Sequence, residues 1–505
     1  MYEIVDIGIK LCYFEYIIIS EDIMKKNDNG LISWKSLTFM AFATLWGFGN
    51  VANGFMYFNG IQVIFSWILM FALYFIPYAL MVGELGSTFK NLGGGVSSWI
   101  EQTSTTKLAY YAGWTYWCVH IPYIASKGSG ALKAFSWLVF HNAETFDTFK
   151  TSHVQIVTLA ILLIFAFIAS RGLNPLKNLT QIAGSSMFVM GILYIILGLF
   201  APVVAPSGDY QNIDFSLKAI VPTFNVGYFT SLSILVFAVG GVEKISPYIN
   251  KMKGDPSKGF PKAMLAAAIM VVISALFGTV AMARMFDPAV INASQESFDS
   301  YVANGAYWAF QKLGQYYGLG NFFLIIYALS NLIGQLSILV LSIDAPLRIL
   351  LGDPKISIHV PQKLLRKNKY GAYINGIKMV VILSGTIILS QILLPGAASV
   401  LRALTKLNSV CMPLRYLWVF IAYYLLKKNA MDNGEYKFTK SQGAGKFWGL
   451  WCFIITLLSC LLGMYSDDKV TMILNILTPV FLVALGLIFP TIRAKEDGRA
   501  NTFVE

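Results

Sequence analysis

Charge is what this chain has least of. Asp, Glu, Lys and Arg make up 13% of its 505 residues, against about 25% in soluble domains. Histidine is scarce as well. His120, His141, His153 and His359 are scattered without metal-ligand spacing, so no metal site is expected. Five cysteines, Cys12, Cys118, Cys411, Cys452 and Cys460, also lack such spacing. Most sit in apolar runs and read as small core residues, not as a disulfide framework or a catalytic set. No nucleotide-binding motif occurs, which argues against an ATP-driven pump. No Ser–His set, intramembrane His/Asp pair or repeated acidic motif supports an embedded enzyme, so no catalysis and no cofactor is expected.

What is there is apolar. The chain is 56% hydrophobic, with a mean hydropathy of +0.62. A water-soluble core cannot hide that much apolar surface, so lipid must cover part of it. About twelve runs are long enough to span a bilayer: 34–60, 61–88, 107–139, 153–171, 176–204, 229–250, 261–287, 320–348, 372–394, 396–427, 445–465 and 468–490. The runs are continuous and lack period-two alternation, so they read as helices and not barrel strands. The fold class is an all-α polytopic membrane protein.

Basic residues orient it. Lys251, Lys253, Lys258 and Lys262 follow the sixth span. Lys355, Lys363, Arg366, Lys367 and Lys369 follow the eighth, and Lys427, Lys428, Lys437, Lys440 and Lys446 follow the tenth. The loop 288–319 offers only Lys312 against Glu296 and Asp299. The positive side is cytoplasmic, which places both termini inside the cell membrane. The net charge of +12 is therefore a topological signal. No basic face or binding motif accompanies it, so a nucleic-acid partner is not indicated. Residues 1–33 form a cytoplasmic lead-in and 491–505 a cytoplasmic tail. Residues 1–23 are a patchy apolar run broken by Lys10 and Glu15, and Met24-Lys25-Lys26 reads as a more natural start.

Two spans are interrupted. The first contains "FATLWGFGNVANGFMYFNG", with Gly47, Gly49 and Gly54 among Asn50 and Asn53. The sixth contains "LSILVFAVGGVEKISPYIN", with Gly240-Gly241 in mid-span, then Glu243 and Pro247. Backbone freed from helical bonding is costly in lipid unless it lines a wet cavity or is buried in protein. An acid beside a double glycine is costly unless it functions. Glycine-broken helices five elements apart point to a transporter built from inverted repeats, with its site between the breaks. Half-helix amino ends favour an anion and carboxyl ends a cation. An amino acid carries both groups on one carbon.

These stretches resemble the amino acid–polyamine–organocation superfamily of permeases, nearest in look to the bacterial glutamate/GABA-type antiporters. The resemblance runs from about residue 34 to 490. It rests on "GFGNV" at 47–51, "YFIPYALMVGELGSTFKNLGGGVSSWI" with Pro77, Glu84, Gly94, Gly95 and Trp99, "GGVEKISPYINKMKGDPSKGFPKAM" with Pro256 and Pro261, and "APLRILLGDPKISIHVPQKLLRKNKYG". It implies a LeuT-type fold of five-plus-five inverted repeats, over about 34–204 and 229–427, with helices 445–490 added. It implies a secondary transporter of amino acids or related amines, working by exchange or proton coupling. Four features depart from the family: Phe48 between the glycines, the replacement around Lys251 to Asp255 of the acidic residue usual in the loop before Pro256, Ala372-Tyr373 in place of the proline expected after Gly371, and Ser185, Ser186 and Met187 where some proton-coupled members carry a lysine. Phe48 is expected to narrow or reshape the pocket.

The substrate is therefore expected at Gly47, Phe48, Gly49, Asn50 and Val51, unwound, facing Phe237, Ala238, Val239 and Gly240, also unwound. Phe237 is the candidate lid. Glu243 and Lys127 are candidates for coupling or gating, Lys127 as a pathway charge or as the partner of Glu243. Lys133 should snorkel to the outer interface, Arg402 and Lys406 should line an outer vestibule or mark a helix end, and Glu84 should form a structural ion pair or cap. Two other functions fit the same frame: a non-transporting amino-acid sensor, or a transporter of another small organic cation. The substrate's side chain, the coupling ion and the oligomeric state stay open at this level.

Overall fold

The computed structural model describes residues 32–393, 407–431, 433–466 and 469–498. The start at 1–23 and the residues Arg402 and Lys406 lie outside that set. Helices dominate the described residues. No strand forms among them, and the isolated bridges are Ile32 with Met252 and Lys367 with Tyr373. In chain order the elements used below are α1 (Trp34–Leu45), α2 (Phe48–Tyr57), α3 (Gly60–Thr88), α4 (Val96–Thr103), α5 (Thr106–Cys118), α6 (His120–Phe140), α7 (Thr151–Ala169) and α8 (Leu173–Val204). Then come α9 (Val226–Val239), the 3-10 element α10 (Val242–Lys251), α11 (Pro256–Met285), α12 (Gln295–Tyr316), α13 (Phe322–Leu351), α14 (Ile374–Ser390), α15 (Leu407–Lys428), α16 (Gln442–Gly463) and α17 (Lys469–Ala484).

Among the described residues nine helices are long and apolar enough to cross a membrane, and α14 is a shorter tenth. The other two expected spans are the divided ones, α1 with α2 and α5 with α6. The chain is a multi-pass helical membrane protein. Its polarity is inverted relative to a soluble domain: Phe167, Val189, Phe200 and Leu474 are exposed on the outside, while Glu84, His120, Glu243, Asp344 and Lys427 are buried within. Exposed apolar bands of this kind suit hydrocarbon, and buried charge is tolerated only with partners.

Local chemistry sets the irregularities. Pro77 lacks the N–H that would reach the carbonyl of Leu73, and the helix loosens into a π stretch over Phe71–Phe75. The freed Leu73 carbonyl accepts from Trp451 Nε1 at 2.8 Å, which ties α3 to α16. Pro122 likewise leaves the Cys118 carbonyl without its helical donor, where α5 gives way to α6.

The first break falls at Trp46 and Gly47, both extended. The expected link at Gly47–Val51 is displaced: Phe48 to Val51 already form the first turn of α2. The turn winds early because Phe48 is anchored among Tyr194, Phe310 and Tyr327, with ring centroids 4.5, 5.0 and 6.1 Å away. Asn50 bridges the break, its Nδ2 donating to the Leu45 carbonyl at 3.2 Å. The second break falls at Gly240-Gly241, not over Phe237–Gly240, because α9 stays helical through Val239. Gly241 has φ +119°, open to glycine alone at little cost. The chain then winds as 3-10 through Pro247. The breaks touch: Thr44 Oγ1 donates to the Ala41 carbonyl at 2.7 Å and lies 3.4 Å from that of Gly241.

Candidate functional site

Between the breaks lies a cavity of about 270 Å3. Trp46, Gly47, Gly49 and Asn50 bound it on one side, Phe237, Gly240 and Lys244 on another, and α6, α13 and α15 close the rest. Gly49 leaves its wall bare. A Cβ built there would meet no atom within 4 Å. The first N–H groups of a helix have no intrahelical acceptor, so the start of α2 presents donors and a positive end to this space. Opposite, the last carbonyls of α9 end at Gly240, whose missing side chain makes room for the Tyr416 ring.

The charge in the lining is all of one sign. Among the described residues Lys127, Lys133, Lys244 and Arg415 contribute to the wall, and no Asp or Glu does. Lys127 Nζ sits 4.3 Å from the Tyr123 ring centre and donates to Gln335 Oε1 at 3.3 Å. Lys244 Nζ sits 5.3 Å from the same ring and donates to Ser342 Oγ at 2.6 Å. Lys133 is buried, its Nζ 5.7 Å from the Phe146 ring centre. The expected snorkelling of Lys133 to an interface is therefore wrong: α6 turns it inward.

Arg415 has a carboxylate partner. Its Nε lies 3.3 Å from Glu243 Oε1. Glu243 also accepts from the Tyr116 hydroxyl at 2.8 Å and from the Tyr78 hydroxyl. His120 completes the cluster. Its Nδ1 meets the Tyr116 carbonyl at 2.6 Å and its Nε2 meets Arg415 Nη1. A carbonyl only accepts and a guanidinium only donates, so the ring must donate from Nδ1 and accept at Nε2. Glu243 is fully buried and lies behind the cavity wall.

A bundle of membrane helices with two broken members, a cavity between the breaks and donors and carbonyls aimed into it is the form of a small-molecule carrier. Comparison with known proteins agrees. A model of a family described as amino acid permease matches residues 32–482. The chain belongs to the amino acid permease family. An aspartate/glutamate permease of Lactococcus lactis subsp. cremoris (strain MG1363) is 45% identical over 487 residues, covering 94% of this chain and 98% of that protein. A probable agmatine/putrescine antiporter of Lactococcus lactis subsp. lactis (strain IL1403) is 22% identical, covering 48% of this chain and 49% of its own. A glutamate/gamma-aminobutyrate antiporter from the same strain is 24% identical, covering 42% and 41%. This permease is an amino acid transporter and not an enzyme.

The permease brings together part of the expected set. Gly47, Gly49, Asn50, Phe237, Gly240 and Lys127 line the cavity. Phe48, Val51, Ala238, Val239 and Glu243 do not. Phe48 points into the aromatic cluster behind α2, so it does not narrow the pocket. Val51 is buried toward Gly278 of α11. A pairing of Lys127 with Glu243 is not formed, because Arg415 holds the glutamate. Met187 stands against Gly47 and Gly334, wedged between the first break and α13. Glu84 forms a buried ion pair with Lys427 at 2.5 Å. Sequence reasoning missed Lys244, Arg415 and Tyr123. The signal for Arg415 was a lone arginine inside "CMPLRYLW", and for Lys244 a lysine directly after Glu243.

Proposed function

We propose that this permease carries acidic amino acids, aspartate and glutamate in chemistry, across the cell membrane by alternating access around the cavity. One observation carries the reading. Among the described residues the wall carries no Asp or Glu, and two of its cations, Lys127 and Lys244, have neutral hydrogen-bond partners, Gln335 and Ser342. An amine or other organic cation entering that space would meet like charge at close range, which is strongly unfavourable where water is scarce. A substrate with net negative charge supplies the missing counter-charge. The aspartate/glutamate activity in the name of the 45% identical relative supports the same class.

In this reading the substrate's α-carboxylate sits on the amino end of α2, at the N–H groups of Phe48 and Gly49. Its α-ammonium meets carbonyls at the end of α9, Phe237 to Val239, with the Phe237 ring closing over it. Gly47, Asn50, Val51 and Gly240 shape the two breaks. Residues 34–204 and 229–427 are the two repeats, with 445–490 outside them. Both termini face the cytoplasm. Movement is driven by exchange or by the proton gradient.

Counterflow in proteoliposomes tests it. Vesicles preloaded with unlabelled glutamate should accumulate labelled aspartate and glutamate, while labelled agmatine and leucine stay out. Accumulation of the amine, with none of either acid, would overturn the acidic reading.

A further inference from the structure

The buried cations of this bundle fall into two kinds. Arg348 meets Asp344 at 2.6 Å, Arg415 meets Glu243 at 3.3 Å and Lys427 meets Glu84 at 2.5 Å. Lys127 and Lys244 have no carboxylate within ion-pair distance among the described residues. Their hydrogen-bond partners are neutral, Gln335 and Ser342. They come from different elements, α6 and α10, and both lie over the ring of Tyr123, at 4.3 and 5.3 Å from its centre. Lys244 is 2% exposed. An ammonium so placed gives up hydration without a counter-ion, which is unfavourable unless an anion arrives. A ring face and a hydroxyl compensate only in part.

We propose that Lys127 and Lys244, held over Tyr123, form the subsite that reads the side-chain carboxylate of the substrate and so set selectivity for dicarboxylic over neutral amino acids. This rests on the acidic-substrate reading above and adds the residues that enforce it. The two helix breaks recognise groups that every amino acid has, so they cannot discriminate by side chain. Arg415 is held by Glu243, His120 and Tyr416, and its charge is already balanced. Lys127 and Lys244 reach the same cavity with their charge unbalanced. An acidic side chain neutralises them. A carboxamide of the same shape does not, and leaves both lysines without a counter-charge.

The purified permease tests this by ligand-induced thermal stabilisation, which reads affinity through the midpoint concentration. For the wild type the asparagine midpoint should lie well above the aspartate midpoint. In Lys244→Met and, separately, in Lys127→Gln, the ratio of the two midpoints should fall by roughly 10- to 100-fold, the loss expected for one charged hydrogen-bond partner. Glutamate against glutamine should behave alike. Lys127 is half-buried and donates to a glutamine, so its variant keeps the test readable if Lys244→Met does not fold. A ratio that stays at the wild-type value in a folded variant overturns the proposal, as does equal weakening of acid and amide. A wild type with no response to either acid overturns the acidic reading itself. The two failures are therefore distinct.

Discussion

Glu243 and Arg415 meet at 3.3 Å behind the wall of the cavity, joining the element that follows the second helix break to α15. Both are buried, and the hydroxyls of Tyr78 and Tyr116 donate to the same carboxylate. Glu243 thus pairs with Arg415 and does not line the cavity. Glu243→Gln should keep uptake and leave the shape of its pH dependence unchanged. Glu243→Ala strips a buried cation of its partner and should cost about 3–5 kcal/mol of stability. Uptake across a pH series and melting of the purified variants check this. A pH profile flattened by Glu243→Gln would return the residue to a proton-carrying role.

Gly49 faces open cavity, and a side chain there would clash with nothing. Gly49→Val should therefore express and run as a monodisperse species, yet lose substrate binding and uptake, because the methyl groups fill the space beside the free N–H groups of α2. Normal amino acid binding by that variant would move the site elsewhere. Gly47 makes a contrast, since a Cβ there would push into Met187. Gly47→Val should lower the melting temperature as well as binding.

Glu84 and Lys427 lock α3 to α15 at 2.5 Å. The carboxylate also accepts from the Tyr423 hydroxyl and the Phe438 N–H, each at 2.8 Å. Lys427→Met leaves this acid buried without its cation and should destabilise by about 3–5 kcal/mol. The double variant Glu84→Gln/Lys427→Met should lose clearly less than the sum of the single losses. Melting of the three variants in detergent measures the coupling, and strict additivity would show that the pair contributes nothing as a pair.

Topology can be checked by labelling from outside. Cys118, Cys411, Cys452 and Cys460 are buried and free, so with Cys12→Ser the background should be low. Lys258→Cys and Arg366→Cys, both exposed, should resist a membrane-impermeant maleimide in sealed cells, and Glu296→Cys should react. The reverse pattern would invert the protein.

The amino-acid sequence by itself determined the class, the number of passes and which two helices break. Each of these rests on a local property. An apolar run must find lipid whatever its neighbours are, and glycines beside an amide or an acid mark backbone that leaves the helix. Its balance of lysines also supplies an expected topology, which labelling will test. It did not determine which residue at a break looks inward. A helix turns each side chain by about 100° per residue, so a shift of one or two residues in where α2 begins sends Phe48 into the aromatic cluster and leaves Gly49 on the cavity. Nor did it determine who neutralises whom. Lys127 and Glu243 look like partners in one dimension, but α15 brings Arg415 to the glutamate first. Only the packing of α6 and of α10 against α13 puts Lys127 and Lys244 near one tyrosine ring, because charge pairing is decided by distances between helices that no single segment encodes.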